Sequence, residues 1–458
     1  MLRVWQAECA DLAVRKYQTG MTHFFCQATP GAGKTTLAAE IASRLLLQNM
    51  VDLVLCFSPS LTVSDSIQKT FSRRLKCSFS GGLGSIGQAL TYQALQYLNN
   101  DFWETLRKYR VFVVFDEIHH CSGDRVETAN AWGGQILEKI QGLATFTLAM
   151  SGTPWRTDLL PIVMANYSNP EGALIVDYQY TLGRAIQDKV CRLPKIVLID
   201  SHKLSTSSSS ESIQHFSSIC EYLKESKGSY QSIIHNFKAM EHILSLGCER
   251  LASLRSESIS AGGLVVAASV KHAHSIAKML IEKFGQTVSI VSYLDSKPLK
   301  DIQQFREDQT QWIISVGMIS EGTDIPRLQV CCHLSAIKTE LYFRQVLGRI
   351  LRVNGTDNQQ AWLYTFAEPN LAAFAERIEI DLPESCMYST MSTSEYVESI
   401  SLYSDHEVHT NRKVDLAPPY TLDIDEFPTM HDVDLLHPSG FDELQLSEFR
   451  KRVISAFI

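Results

Sequence analysis

Ala28-Thr29-Pro30-Gly31-Ala32-Gly33-Lys34-Thr35 lies between the apolar run His23-Phe24-Phe25-Cys26 and a stretch of helical periodicity from Thr35 to Leu47. A glycine-rich loop that leaves a strand and opens a helix is the context a Walker A phosphate loop requires. The glycines let backbone N–H groups approach phosphates, and the helix N-terminus adds positive potential. On this reading Lys34 reaches the β- and γ-phosphates and the Thr35 hydroxyl binds Mg²⁺, while Thr29, Pro30, Gly31, Ala32, Gly33 and Thr36 complete the cradle. Ala28 stands where the strict pattern has its first glycine. The loop alone implies a nucleoside triphosphate and leaves open what its hydrolysis drives.

Outward from the loop, short apolar runs alternate with amphipathic stretches. Leu53-Val54-Leu55-Cys56-Phe57, Val111-Phe112-Val113-Val114-Phe115 and Phe146-Thr147-Leu148-Ala149-Met150 read as buried parallel strands beside His23–Cys26. Such alternation implies a doubly wound α/β domain. A second alternation has strands at Leu264–Ala268, Val288–Val291, Trp312–Val316 and Trp362–Tyr364, with helices at 271–284 and 339–350. The chain of 458 residues suits about three domains. The expected division is an ATP-binding domain at 1–195, a connection at 196–260, a second α/β domain at 261–370 and an acidic extension at 371–458. The connection carries the polar run Ser205–Ser210, read as an exposed loop followed by one or two helices. The closing segment Phe441–Phe457 has near-helical spacing of apolar and charged positions.

Asp116-Glu117-Ile118-His119-His120 ends the most apolar strand. Ligands bind at the carboxyl ends of strands in open α/β sheets. Asp116 there can hold Mg²⁺, and Glu117 can polarise the attacking water for in-line phosphoryl transfer. The adjacent histidines are set aside as zinc ligands. Eleven scattered cysteines, none in CxxC spacing, read as free buried thiols in a reducing cytoplasm. The N-terminus lacks an apolar signal core, and no apolar run reaches the roughly 18 residues that span a bilayer, so the expected location is cytoplasmic.

These residues resemble motifs I and II of superfamily 2 helicases of the DEAD/DEAH-box type, and the resemblance extends from residue 5 to 352. Trp5-Gln6 is similar to the adenine-recognition element, Phe57-Ser58-Pro59-Ser60 to motif Ia, Thr91-Tyr92-Gln93 to motif Ib and Ser151-Gly152-Thr153-Pro154-Trp155-Arg156 to motif III. Glu321-Gly322-Thr323-Asp324-Ile325-Pro326 resembles motif V, and Gln345-Val346-Leu347-Gly348-Arg349-Ile350-Leu351-Arg352 resembles motif VI. The DExH form, the SGTP of motif III and the segment Tyr180–Asp188 look closest to the branch of restriction-enzyme motors and DNA repair helicases, the ResIII type. The resemblance implies two tandem RecA-like domains and an ATP-dependent helicase or translocase using Mg²⁺. It leans the substrate toward duplex or branched DNA.

It also assigns roles. Gln6 reads the base edge, Asp324 bonds the ribose and Gly322 permits a tight turn. Gln345 approaches His119, so that His119, Ser151, Thr153 and Gly322 couple ATP state to domain closure. Ser58, Thr91 and Thr323 are the candidate strand contacts, meeting phosphates rather than bases. Arg349 and Arg352 lie one helical turn apart, so both project from one face. Across a cleft from Lys34 they would act as arginine fingers on transition-state charge.

The net charge of −8 hides a split: residues 371–458 hold 17 acidic and 6 basic residues, and residues 1–370 hold 33 and 36. The body is therefore mildly basic, and the total charge does not argue against a nucleic-acid partner. Four readings of the tail stand side by side: packing on the motor, autoinhibiting it, docking a protein partner or simply extending into solvent. Two other functions share every motif. One is an RNA helicase; the other is an ATPase switch without unwinding, inside a restriction or antiviral defence complex.

Overall fold

The computed structural model describes residues 2–125, 129–156, 158, 160–168, 172–207, 213–226, 228–295, 298–317, 324–354, 360–378 and 443–455. Gly322 and Thr323 lie outside these residues. The first unit runs α1 (Val4–Gln18), β1 (His23–Ala28), α2 (Lys34–Leu47), β2 (Leu53–Ser58), α3 (Leu61–Leu75), β3 (Gly87–Thr91), α4 (Asn100–Lys108), β4 (Val111–Asp116), α5 (Ala131–Lys139) and β5 (Phe146–Ser151). A short ribbon, β6 (Asn166–Tyr167) with β7 (Leu174–Ile175), leads to β8 (Tyr178–Tyr180) and α6 (Leu182–Gln187).

The apolar runs become strands buried on both faces. Phe24, Cys26, Val54, Cys56, Phe112, Val114 and Leu148 join one core cluster, while Phe25, Leu55, Phe57, Val113, Phe115 and Ala149 join another. Successive side chains point to opposite faces of a strand, so a run without polar interruption demands cover on both sides. Each fully buried side chain of this kind contributes about 1.5–3 kcal/mol. The strands line up as β3-β2-β4-β5-β1-β8, and the pairings are parallel. That order sets β4, β5 and β1 side by side, at about 4.8 Å between neighbours. Their carboxyl ends, Asp116, Ser151 and Ala28, therefore share one rim of the sheet.

The second unit holds β9 (Leu193–Ser207), β10 (Ile213–Phe216), α7 (Ile219–Glu225), α8 (Tyr230–Ile234), α9 (Phe237–Glu257), β11 (Gly262–Ala267), α10 (Val270–Glu282), β12 (Val288–Ser292), α11 (Pro298–Glu307), β13 (Trp312–Val316), β14 (Leu328–Leu334), α12 (Glu340–Ile350), β15 (Gln360–Phe366) and α13 (Pro369–Glu376). Strand β16 (Glu443–Ser455) closes the described chain. The sheet order is β10-β9-β15-β14-β11-β13-β12, with β16 on the other edge of β9. Both units are thus the tandem parallel-sheet architecture expected of RecA-like domains.

Two expectations are corrected. Residues 196–207, expected to open the connection, belong to the second sheet: β9 pairs in parallel with β15, its Ile196, Val197, Leu198 and Ile199 are buried, and three helices rather than one or two are described before residue 260. Ser205–Ser207 continue that strand instead of forming a loop. The closing segment is a strand, not a helix. β16 runs antiparallel to β9 from Ser455↔Lys195 to Glu443↔Ser207. Leu446 is fully buried, Phe449 stacks on His242 with centroids 4.4 Å apart, and Asn236 Nδ2 donates to Leu444 O at 2.8 Å. The exposed edge of β9 needs a partner, and this demand overrides the local spacing.

The acidic excess does not sit in that strand. Residues 379–442 hold 14 acidic and 2 basic residues, whereas β16 holds two and three. Leu446→Ala is expected to destabilise the second unit by about 2–5 kcal/mol, the range for emptying a leucine site. Urea unfolding followed by circular dichroism measures it, and an unshifted midpoint would refute the packing role. Deletion from residue 370 onward would remove β16 as well. The influence of the acidic stretch is therefore measured by replacing 380–441 with a short Gly/Ser linker.

Among the described residues no helix is long and apolar enough to cross a membrane. The ten described cysteines are free, and all but Cys77 and Cys220 are buried.

Candidate active site

The phosphate loop is held open by its glycines and braced from outside. Gly31 and Gly33 have φ of 82° and 92°, in the left-handed region that favours glycine. Arg3 Nη1 donates to Ala32 O at 2.6 Å and Gly31 O at 3.3 Å. Gln6 Nε2 donates to Gly33 O at 2.9 Å, and Gln6 Oε1 accepts from Arg3 N at 2.9 Å. A Cβ on Gly33 would stand 2.8 Å from Gln6 Nε2. Gln6, expected to read a base edge, here positions the loop. Arg3 shares that task, and no motif pointed to it.

Lys34 opens α2, where the first-turn N–H groups lack intrahelical acceptors. Its Nζ lies 2.8 Å from Glu117 Oε1 and donates to Ala28 O at 3.3 Å. Thr35 and Thr36 follow on the same turn, both half-buried. Asp116 is buried at the end of β4, its carbonyl accepting from Tyr92 OH at 2.8 Å. Glu117 has φ 51° and ψ 52°, an uncommon conformation for a residue with a side chain. The turn brings its carboxylate over β5. Glu117 Oε2 accepts from Gly152 N at 3.3 Å and Ser151 Oγ at 3.4 Å. Ser151 Oγ also shares a 2.8 Å hydrogen bond with His119 Nδ1 and accepts from Thr153 N at 3.1 Å. Motifs I, II and III thus form one hydrogen-bonded cluster. Gly152 is required by closeness: a Cβ there would be 2.9 Å from Pro30 Cδ and 3.0 Å from Lys34 Nζ. Arg156, which carried no assigned role, donates to His119 O at 2.6 Å and pairs with Asp158.

The other wall is α12. Its eleven residues are buried, including Gln345 and Arg349 at 9% exposure each. A Cβ on Gly348 would lie 2.7 Å from Pro30 Cβ, so the helix can sit on the phosphate loop only because that residue is glycine. The Arg352 Cγ would be 3.2 Å from a Cβ on Gly31, and Arg352 Nη1 pairs with Asp324 Oδ1 at 2.6 Å. Arg344 brings its guanidinium 5.5 Å from the Trp155 ring, a cation–π contact across the seam. The seam encloses a cavity of about 30 Å³ between Thr29, Pro30, Gly152, Thr153, Arg344 and Leu347.

One detail differs from expectation. The helix ends at Ile350, so Arg352 lies beyond it and does not share a helical face with Arg349. It forms an isolated antiparallel bridge with Cys191 instead. His119 turns to Ser151 and Glu117, with its ring 1% exposed on the side chain. Of the candidate strand contacts, Ser58 is fully buried and shares a 2.8 Å hydrogen bond with Ser64 Oγ. Thr91 Oγ1 accepts from Ala94 N at 3.3 Å and so caps the turn after β3. Neither hydroxyl is presented at the surface. Among the described residues no group of three or more His, Cys, Asp or Glu could hold a metal by itself.

The donor set fits a magnesium nucleoside triphosphate. Two left-handed glycines leave the loop without side chains, and a helix N-terminus carries one ammonium and two hydroxyls. Two carboxylates stand at the end of β4, one strand removed across β5. Thr35 and Asp116 are the residues that would hold Mg²⁺.

Residues 1–156 match the family described as Type III restriction enzyme, res subunit. An uncharacterized protein of Mycobacterium leprae is 29% identical over 399 residues, covering 82% of this chain and 64% of the relative. The chain thus spans just under two thirds of the length of the curated relatives it matches. Among solved structures, the ATP-dependent Type ISP restriction-modification enzyme LlaBIII bound to DNA aligns with a TM-score of 0.53 at 12% identity, covering 85% of this chain and 30% of that one. A fragment of a putative HsdR subunit of a type I restriction enzyme from Vibrio vulnificus YJ016 gives 0.55 at 15% identity, covering 83% and 67%. Dbp5 of S. cerevisiae bound to RNA and ADP BeF3 gives 0.50 at 13% identity, covering 87% and 93%. The fold is shared with these proteins, and the likeness to the restriction-enzyme type read from the motifs is borne out.

Proposed function

We propose that this chain is a nucleic-acid-stimulated ATPase that moves along or unwinds DNA. The observation that carries the reading is the division of one site between two sheets. Lys34, Asp116 and Glu117 lie at the rim of the first, and α12 of the second rests on the phosphate loop through Gly348 and Arg352. A site completed only when two domains meet links the state of its nucleotide to their separation.

In this reading Lys34 holds the terminal phosphates, Glu117 takes the proton of the attacking water, and Arg349 and Arg352 neutralise charge on the transferring group. Bound Mg²⁺ supplies Lewis-acid polarisation of the phosphate oxygens. Asp324 lies within reach of Arg352 and is proposed to exchange that partner for the ribose. Gln345 is proposed to meet His119 on closure. Ser58, Thr91 and Thr323 remain the proposed points at which the strand passes, with Ser58 and Thr91 acting through the turns they hold. Cyclic closure against a bound strand then yields movement. The restriction-motor likeness favours DNA; the similar fold of an RNA-bound helicase keeps RNA as the second reading.

An ATPase assay across duplex DNA, single-stranded DNA and RNA tests the proposal. Duplex DNA is expected to stimulate most. Stimulation should weaken steeply between 50 and 200 mM salt, where about 10³–10⁵ in affinity is lost for 6–10 phosphate contacts. Larger stimulation by RNA would transfer the reading to an RNA motor. Hydrolysis indifferent to every nucleic acid would overturn the motor and leave a switch subunit.

A further inference from the structure

The segment between α6 and β9 changes its main-chain N–H partners at one peptide bond, beside the bridge that Cys191 makes to Arg352. Up to Cys191 its N–H groups belong to the first unit: Lys189 N donates to Ile186 O at 3.0 Å, and Val190 N and Cys191 N donate to Ala185 O at 2.8 and 3.0 Å. Cys191 Sγ lies 3.7 Å from Pro30 O of the phosphate loop. From Arg192 onward the contacts belong to the second. Arg192 N donates to Leu351 O at 2.7 Å. Its guanidinium donates to Leu328 O at 2.8 Å, Ile350 O at 3.1 Å and Pro326 O at 3.0 Å. The side chain is fully buried. Just upstream, Lys189 has φ of 57°, an unusual backbone setting for a residue with a side chain.

A fully buried arginine is costly unless its donors are used. Here three main-chain carbonyls accept from its two Nη groups, while Nε is left without a partner, and those carbonyls mark two functional boundaries. Ile350 O and Leu351 O form the end of the helix that bears Arg349, immediately before Arg352. Pro326 lies two residues after Asp324. The carbonyl end of a helix carries partial negative charge, which suits a cation. The guanidinium fork therefore ends α12 where Arg352 must leave it, and fixes that end to the segment following Asp324.

The structure assigns Arg192 as the positioning residue of the inter-domain hinge, pivoting at the Cys191–Arg192 peptide and carrying Arg349, Arg352 and Asp324 as one body toward the phosphate loop. This rests on the ATPase reading above. Methionine would fill much of the space but donate nothing. Lysine would keep the charge but has no fork to reach three carbonyls on two separate segments.

The test uses the full chain with Arg192→Met, Arg192→Lys, Arg349→Gln and the double variant Arg192→Met/Arg349→Gln. Steady-state kcat is expected to fall about 10²-fold in Arg192→Met, the size of effect that small misplacements of catalytic groups produce. Affinity for a fluorescent ATP analogue should hardly change, and Arg192→Lys should recover only part of the loss. The double variant should turn over no more slowly than Arg349→Gln alone, because Arg192 acts through that helix. Hydrogen–deuterium exchange should rise at residues 326–328 and 348–352 and stay constant in β1 and α2. Multiplicative losses in the double variant, or unchanged exchange at 348–352, would overturn the proposal. If Arg192→Met does not fold, Arg192→Lys is read by the same criteria. Failure of the unmodified chain to hydrolyse ATP would sink the ATPase reading, whereas the exchange measurement judges the hinge without it.

Discussion

Changing Arg349 to Gln is expected to cut nucleic-acid-stimulated ATP turnover by about 10³–10⁵-fold, the span that arginine fingers contribute in phosphoryl transfer. The expectation follows from where the residue sits. Arg349 is one position beyond Gly348, the residue that lets α12 approach Pro30, and it is 91% shielded from solvent. A guanidinium in a water-poor seam acts on developing phosphoryl charge far more strongly than one in water. Arg349→Lys is expected to restore little, because an ammonium offers a point charge in place of a planar pair of donors. Nucleotide binding should survive both changes. Turnover at saturating DNA, measured beside the affinity for a fluorescent nucleotide, separates the two effects. A loss of less than tenfold in kcat would remove Arg349 from the catalytic set.

Arg352 predicts a different pattern, since it is tied to Asp324 at 2.6 Å. Its replacement frees a carboxylate as well as removing a cation. Loss of nucleotide affinity is therefore expected along with loss of turnover. That distinction was hidden in the sequence, where the two arginines one helical turn apart looked equivalent. Their difference comes from the helix ending at Ile350, whose carbonyl accepts from Arg192, far away in the chain.

The same reasoning explains which features were legible beforehand. Strands β1, β2, β4 and β5 announced themselves because both of their faces are buried, which forces unbroken apolar runs. The phosphate loop and the acidic pair could be read because their chemistry needs particular residues at fixed spacing. β9 was obscured by the serines at its end, and β16 by the rest of the second unit and the acidic stretch, which together separate it from its partner. Pairing across such a distance leaves no local pattern. Arg3 and Arg192 were missed, and Arg156 was left without a role inside its motif, for one shared reason. Each binds main-chain carbonyls, and a carbonyl carries no residue identity that a sequence could display. The buried hydroxyl of Ser58 shows the converse: a motif position can be right about the rim of the sheet while the side chain serves the turn rather than a ligand.

Glu117→Gln is expected to lower turnover by about 10²–10⁴-fold, the contribution typical of a general base, while leaving nucleotide affinity no weaker than before. The geometry sets the sign of the second effect. Lys34 Nζ is held 2.8 Å from Glu117 Oε1, inside a site where Lys34 is buried. To grip a phosphate, that ammonium must exchange a carboxylate for it. The exchange also uncovers the carboxylate at the moment a water molecule needs a base. Removing the negative charge at residue 117 abolishes the base and equally abolishes the competitor for Lys34. Lys34→Ala removes the phosphate contact itself, so it is expected to weaken binding as well as turnover. Measuring kcat and nucleotide dissociation for the two variants side by side decides the matter. If Glu117→Gln binds nucleotide as poorly as Lys34→Ala, the pair is a structural bridge and not a resting state that nucleotide opens.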